Sequence, residues 1–138
     1  MILLDTHVLL WFVAGSERMG ENALRRLQAA WERGAVTASA FSFWEIALLN
    51  DKGRLNLAIS PRALHRRLRV DGLRTVSVDA EIAFRASELA NEGFHADPAN
   101  RIIAATALVG GYRLATADGR ITSWARRSGM LSTLDPAL

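Results

Sequence analysis

Four short apolar runs punctuate this chain, and helical segments separate them. Residues 2–4, 35–38, 75–78 and 112–116 are of strand length and are bounded by cap or turn residues. Residues 7–13 read as a short helix that Ala14, Gly15 and Ser16 break. Residues 22–33 carry apolar side chains at 23, 24, 27, 30 and 31, a helical period, and Gly34 ends them. Either Ser39 or Ser42 fits as the cap of the next helix, which carries Trp44, Ile46, Ala47 and Leu48 and stops near Gly53. Ser60-Pro61 opens a helix to about Val70. Asp79 caps another, to about Asn91, and Asp97-Pro98 opens one over 99–109. A short fifth strand is expected near 131–134. Strands that alternate with helices predict an α/β fold with a mainly parallel sheet covered on both faces. No repeat, low-complexity tract or linker interrupts the series, so 138 residues read as one domain.

Five polar residues stand where strands end or helices begin: Asp5, Glu45, Asp97, Asn100 and Asp118. In an α/β fold, the carboxyl ends of the strands and the starts of the following helices share one edge, and ligands bind there. Carboxylates gathered on that edge repel one another unless a positive charge sits between them. Hard divalent cations take oxygen ligands, so the pattern points to a metal site. Asn100 differs from aspartate only by an amide.

Charge distribution fits a polyanionic partner. The net charge is +3, but setting aside Asp5, Glu45, Asp97 and Asp118 leaves ten acids against 17 bases. An acidic pocket in a basic body suits a polyanion that approaches through its phosphates. Lys52 is the only lysine, and genomic base composition explains arginine in place of lysine equally well. The densest basic stretch holds Arg62, His65, Arg66, Arg67 and Arg69. It reads as an RNA contact, with Arg66, Arg67 and Arg69 as its candidates, or as a solvated helix face. Cysteine is absent, which excludes disulfides and thiolate metal sites. No apolar stretch reaches the roughly 18 residues of a membrane span. The first residues lack the features of a signal peptide, and the expectation is a soluble, cytoplasmic protein.

The fragments MILLDTHVLLWF, SAFSFWEIALL, DPANRIIAATAL and LATADGRI resemble, in order and over nearly the whole chain, the PIN-domain ribonucleases. Within these the resemblance is to the VapC toxins of bacterial toxin–antitoxin pairs. It implies a PIN-like three-layer α/β/α sandwich with four to five strands, forming a single domain over 1–138. It implies an endoribonuclease, dependent on Mg²⁺ or Mn²⁺, that cuts structured RNA such as tRNA or ribosomal RNA. A VapB-type antitoxin would neutralise it, as a homodimer or a hetero-oligomer with that partner.

Carried over by residue, Asp5 matches the acid ending the first strand, Glu45 the acid in FWEIA, and Asp118 the acid in the T-A-D motif. The family's remaining acid stands where this chain has Asn100. Asp97 matches the family's D-P pair, a helix cap more often than a ligand. The implied catalytic and metal set is Asp5, Glu45, Asn100 and Asp118, with Asp97 as a further ligand candidate. Thr6, Ser42 and Thr116 are candidates to orient the carboxylates, although capping explains the serine as well. Asn100 reads either as a natural variant whose carbonyl still ligates weakly or as a deliberate inactivating change. Either way it weakens or abolishes activity.

His7, His65 and His95 lack metal-ligand spacing and read as non-catalytic. Trp11, Trp31, Trp44 and Trp124 read as core or partner surface within helical stretches, the first three facing an antitoxin. A second enzyme class and a signalling module fit poorly. A haloacid-dehalogenase-like phosphohydrolase wants an Asp two residues after Asp5, where His7 stands, and a receiver domain wants a late-strand lysine. A catalytically inactive PIN-like module that binds RNA or an antitoxin stays open as the alternative.

Overall fold

The computed structural model describes every residue, Met1–Leu138, and contains five strands and seven helices. The strands are β1 (Ile2–Leu4), β2 (Val36–Ser39), β3 (Arg74–Val76), β4 (Arg113–Ala115) and β5 (Thr133–Leu134). They pair in the order β3-β2-β1-β4-β5, and every pair is parallel. The helices are α1 (Thr6–Ala14), α2 (Glu21–Glu32), α3 (Ala40–Asp51), α4 (Pro61–Val70), α5 (Ala80–Glu88), α6 (Pro98–Gly110) and α7 (Gly119–Ser128).

Strand alternation divides the interior in two. Leu3 and Leu4 are both fully buried, yet they belong to different apolar clusters, because successive side chains point to opposite faces. Leu4, Ala38 and Ala115 pack with residues of α1, α2, α3 and α4. Leu3 and Leu114 pack with residues of α5, α6 and α7. The result is the expected three-layer α/β/α sandwich, with an all-parallel sheet of five strands.

Several boundaries differ from those read in the sequence. Strand β3 ends at Val76 rather than 78: it is an edge strand that pairs on one side only, with β2, and Val78 beyond it is exposed. The helix before Gly93 tightens into a 3₁₀ turn at Leu89–Asn91. Helix α7 has no bounds in the sequence expectations, which place only Trp124 in a helical stretch there. Its apolar residues Ile121, Trp124 and Ala125 are buried at helical spacing, and its N-terminus is capped by Asp118.

Candidate active site

The site lies where the sheet reverses its winding. β1 and β4 are neighbours, but β1 leads to α1 on one face and β4 to α7 on the other. The two connections diverge and open a crevice at the carboxyl ends of the strands. The register pairs Leu4 with both Ala115 and Ala38. The next residue along each strand is Asp5, Thr116 and Ser39, so the topology sets Asp5 beside Thr116. The Asp5 N–H donates to the Ala115 carbonyl at 3.1 Å and fixes the approach.

Three of the acids are helix N-caps. Asp5 Oδ1 accepts from Val8 N–H at 2.9 Å, Asp97 Oδ1 from Asn100 N–H at 3.1 Å, and Asp118 Oδ1 from Arg120 N–H at 2.8 Å. Local sequence explains this: a short carboxylate just before a helix satisfies N–H groups that have no partner within the helix. The partly positive N-terminal ends of α1, α6 and α7 therefore face the same crevice. Glu45 arrives differently, from α3, whose cap is Ser39 and not Ser42.

Buried hydroxyls hold the carboxylates. Thr6 donates to Glu45 Oε1 at 2.6 Å. The Thr6 and Ser42 hydroxyls are 2.9 Å apart. Because Thr6 has one proton and the carboxylate takes it, Ser42 is the donor in that second contact. Thr116, also buried, accepts from Asp118 N–H at 3.1 Å and donates to the Asp5 carboxyl.

Asn100 is bound into the network as a donor. Its Nδ2 lies 3.0 Å from Asp118 Oδ2 and 2.9 Å from His95 Nε2. An ionised carboxylate only accepts, so Asp118 dictates which way the amide faces. The second amide hydrogen then goes to His95, which accepts at Nε2 and carries its own proton on Nδ1. Arg120 reaches the acids from α7, 3.4 Å from Asp118 Oδ2 and 3.7 Å from Asp97 Oδ2.

Electrostatics separate the acids into two groups. Burial pushes the Asp5 carboxyl above its ordinary value, and nearby Asp118 adds to this, against hydrogen bonds from Thr116 and Val8 N–H. Glu45 is raised by burial, with Asp97 and Asp5 contributing and Thr6 opposing. Burial also pushes Asp118 up, but hydrogen bonds from Arg120, Asn100 and the backbone outweigh it and hold this carboxyl low. His95 is lowered by burial and by Arg120, so its imidazole is neutral at pH 7.

Asp5, Glu45, Asp97, Asn100 and Asp118 all line one cavity of about 350 Å³. Within it, however, no three Asp, Glu or His side chains are placed to grip a single ion. Glu45 is tied to Thr6, and Asp118 to Asn100 and Arg120, so each carboxylate is held by its own donors. The donor set is nonetheless all oxygen from acids and an amide, and burial leaves Asp5 and Glu45 short of positive charge. That chemistry fits a hard divalent cation.

Two residues stand near the acids without having been given a role there by the sequence. Arg120 had no motif of its own. His95, read there as non-catalytic, touches Asn100. The signals for Arg120 were its place in the LATADGRI fragment and its position in the first turn after the Asp118 N-cap. Of the tryptophans, Trp11 lines the cavity, Trp44 is 56% exposed beside Phe41, and Trp31 packs on Phe12 and donates to the Asp71 carbonyl. Trp124 is core. Arg66, Arg67 and Arg69 are exposed on α4, and none lines the cavity.

The family model described as "PIN domain" matches residues 2–126. Ribonuclease VapC22 of Mycobacterium tuberculosis is 35% identical over 122 residues, spanning 88% of this chain and 90% of that protein. FitAcB from Neisseria gonorrhoeae superposes with a TM-score of 0.67 at 22% identity, covering 99% of this chain and 98% of that one. VapBC2 from Rickettsia felis, solved bound to a DNA fragment from its promoter, superposes with a TM-score of 0.66 at 16% identity, covering 98% of this chain and all of the other. At these identities, the two structural likenesses speak for the fold.

Proposed function

The chain belongs to the PIN-domain family, and on that premise we propose that it is a metal-dependent endoribonuclease toxin that cuts structured cellular RNA, tRNA or ribosomal RNA, in the cytoplasm. A VapB-type antitoxin holds it in check, the partner that the toxin–antitoxin complexes among its structural relatives suggest. The observation that carries the reading is the convergence of five oxygen-bearing side chains on one cavity at the β1/β4 crevice.

Asp5, Glu45 and Asp118 would hold the divalent ion, Mg²⁺ or Mn²⁺, with Asn100 and Asp97 at its margin. In such sites the ion supplies charge neutralisation and an activated water for attack on phosphorus. The chain's own residues prepare that chemistry. Thr6, steadied by Ser42, fixes Glu45, and Thr116 fixes Asp5 against Asp118. The N-terminal ends of α1, α6 and α7 favour a phosphate approaching the crevice. Arg120 adds a positive charge at its rim, where its side chain is 62% exposed. Arg66, Arg67 and Arg69 would meet a longer RNA beyond the site.

One observation favours a second reading, an inactive module that binds RNA or antitoxin. The Asn100 amide donates to Asp118, where a family aspartate would bring a fourth acid. Cleavage of total RNA in Mg²⁺, by this chain and by its Asn100→Asp form, separates the two. The ribonuclease reading expects cleavage by at least the aspartate form and none in EDTA. Silence from both forms, with the antitoxin still bound, leaves the binding module.

A further inference from the structure

A second cleft, of about 660 Å³, adjoins the acid cavity and shares Asp118 and Arg120 with it. Its size lies within the range of roughly 300–1,000 Å³ typical of ligand sites. One wall is a single face of α7. Arg120, Ser123 and Arg127 stand at spacings of three and four, which aligns them along the helix. The opposite wall is Gly93 and His95. Trp124 is the one hydrophobic lining residue, and it is 2% exposed, so the cleft offers little to an apolar ligand.

The His95 wall is held in place. Its ring stacks on Phe94 at 4.4 Å, its Nε2 meets the Asn100 amide, and Arg101 grips the carbonyls of residues 94 and 95. Phe94 packs edge-on against Trp124, which donates to the Glu92 carbonyl. By contrast Arg127 forms no ion pair within the chain and is exposed. The charged groups facing the cleft are therefore two guanidinium groups and one carboxylate, Asp118, which Arg120 already engages. A free guanidinium, a hydroxyl and an imidazole, with an open path to the acids, match a phosphate and its ribose.

We propose that this cleft is a backbone subsite for RNA, in which Arg127 and Ser123 bind the phosphate and ribose next to the linkage held at the acid cavity. The subsite sets the direction in which the strand leaves the acids, along α7. It rests on the ribonuclease reading above and names how that site would hold its substrate.

The test is fluorescence anisotropy of a labelled single-stranded oligoribonucleotide with the full chain, in Mg²⁺ and in EDTA, across a salt series. Arg127→Ala is expected to weaken binding about three- to tenfold and to lower the salt slope by about 0.7, the contribution of one phosphate contact on a single strand. Arg127→Glu should weaken it further, and Arg127→Lys should restore most of it. Arg26→Glu, a matched charge change on α2 across the sheet, sets the effect of net charge alone. Unchanged melting temperatures exclude misfolding.

If Arg127→Glu binds no worse than Arg26→Glu while the Asn100→Asp form still cleaves, the subsite is refuted and the ribonuclease reading stands. Unchanged RNA affinity with lost antitoxin binding also overturns the proposal and assigns the cleft to the protein partner. If no form binds or cleaves RNA, both readings fall.

Discussion

Asn100 joins two networks through one nitrogen. Its amide satisfies Asp118 and His95 together, and a carboxylate at this position could serve neither in the same way. Asn100→Asp is expected to raise Mg²⁺ affinity and RNA cleavage together, because it adds a charge among the ion's candidate ligands. It should also lower the melting temperature in EDTA by several degrees, at about 4 °C per kcal/mol for a chain of this size, through repulsion of Asp118. Saturating Mg²⁺ should recover the loss by mass action. Equal melting and equal cleavage in both forms would remove position 100 from the site. Thr6 offers a cleaner probe of positioning, since it donates to Glu45 from a buried place. Thr6→Val in the Asn100→Asp background should reduce metal affinity about 10- to 100-fold, as loss of groups that orient metal ligands does. Calorimetric titration with Mn²⁺ measures this, and an unchanged affinity would mean that Glu45 does not need Thr6.

Among the helices, α6 decides the role of Asp97. Its carboxylate caps the helix through Oδ1 and lies 3.7 Å from Arg120 through Oδ2. Cap and charge can be separated, because asparagine caps as well as aspartate. Asp97→Ala should cost about 1 kcal/mol of stability. Asp97→Asn should keep that stability, and if Asp97 is only a cap, it should leave cleavage unchanged as well. A loss of cleavage in Asp97→Asn without a loss of stability would assign the acid to the metal. Helix α7 shows why elements matter here: its cap is a site acid, its face lines the second cleft, and its apolar stripe is core. One substitution on α7 therefore reports on stability or on binding according to which side it faces.

For the molecule as a whole, the site costs stability, and pH reveals it. Asp5 and Glu45 have folded values raised above their ordinary 3.8 and 4.5. Below those values both states are protonated and the groups contribute nothing. As pH rises, the unfolded chain ionises first, so stability falls until the folded values are passed, and stays lower at pH 7. Asp118 acts in the opposite sense: its folded value is lowered, so its contribution is present above 3.8 and is lost as pH falls through the folded value. Two raised acids oppose one lowered acid that is more exposed to solvent. Asp5→Asn is therefore expected to raise the melting temperature in EDTA at pH 7 by a few degrees, and to have little effect near pH 3.5. Thermal melts at both pH values check it; stabilisation of equal size at each would show that repulsion and burial of charge are not the cause.

The series of elements and the identity of the acids were legible in the amino-acid order. Strand-length apolar runs alternating with helical periods specify a parallel α/β sandwich, because buried strands and amphipathic helices carry their own periodicity. The positions of Asp5, Asp97 and Asp118 at element boundaries were equally local facts, since each carboxylate caps the helix that follows it. Strand order was not local. Only the tertiary structure sets β4 beside β1, puts Thr116 against Asp5, and brings Asn100 and His95 to Asp118. The bounds of α7 waited on it too: Trp124 reads as part of a helical stretch, but only the burial of Ile121, Trp124 and Ala125 fixes the extent and the packed face of that helix. So did Arg120 and the cleft beside it. Side chains meet across a crevice according to how the chain winds through the sheet, and no spacing along the sequence records that winding.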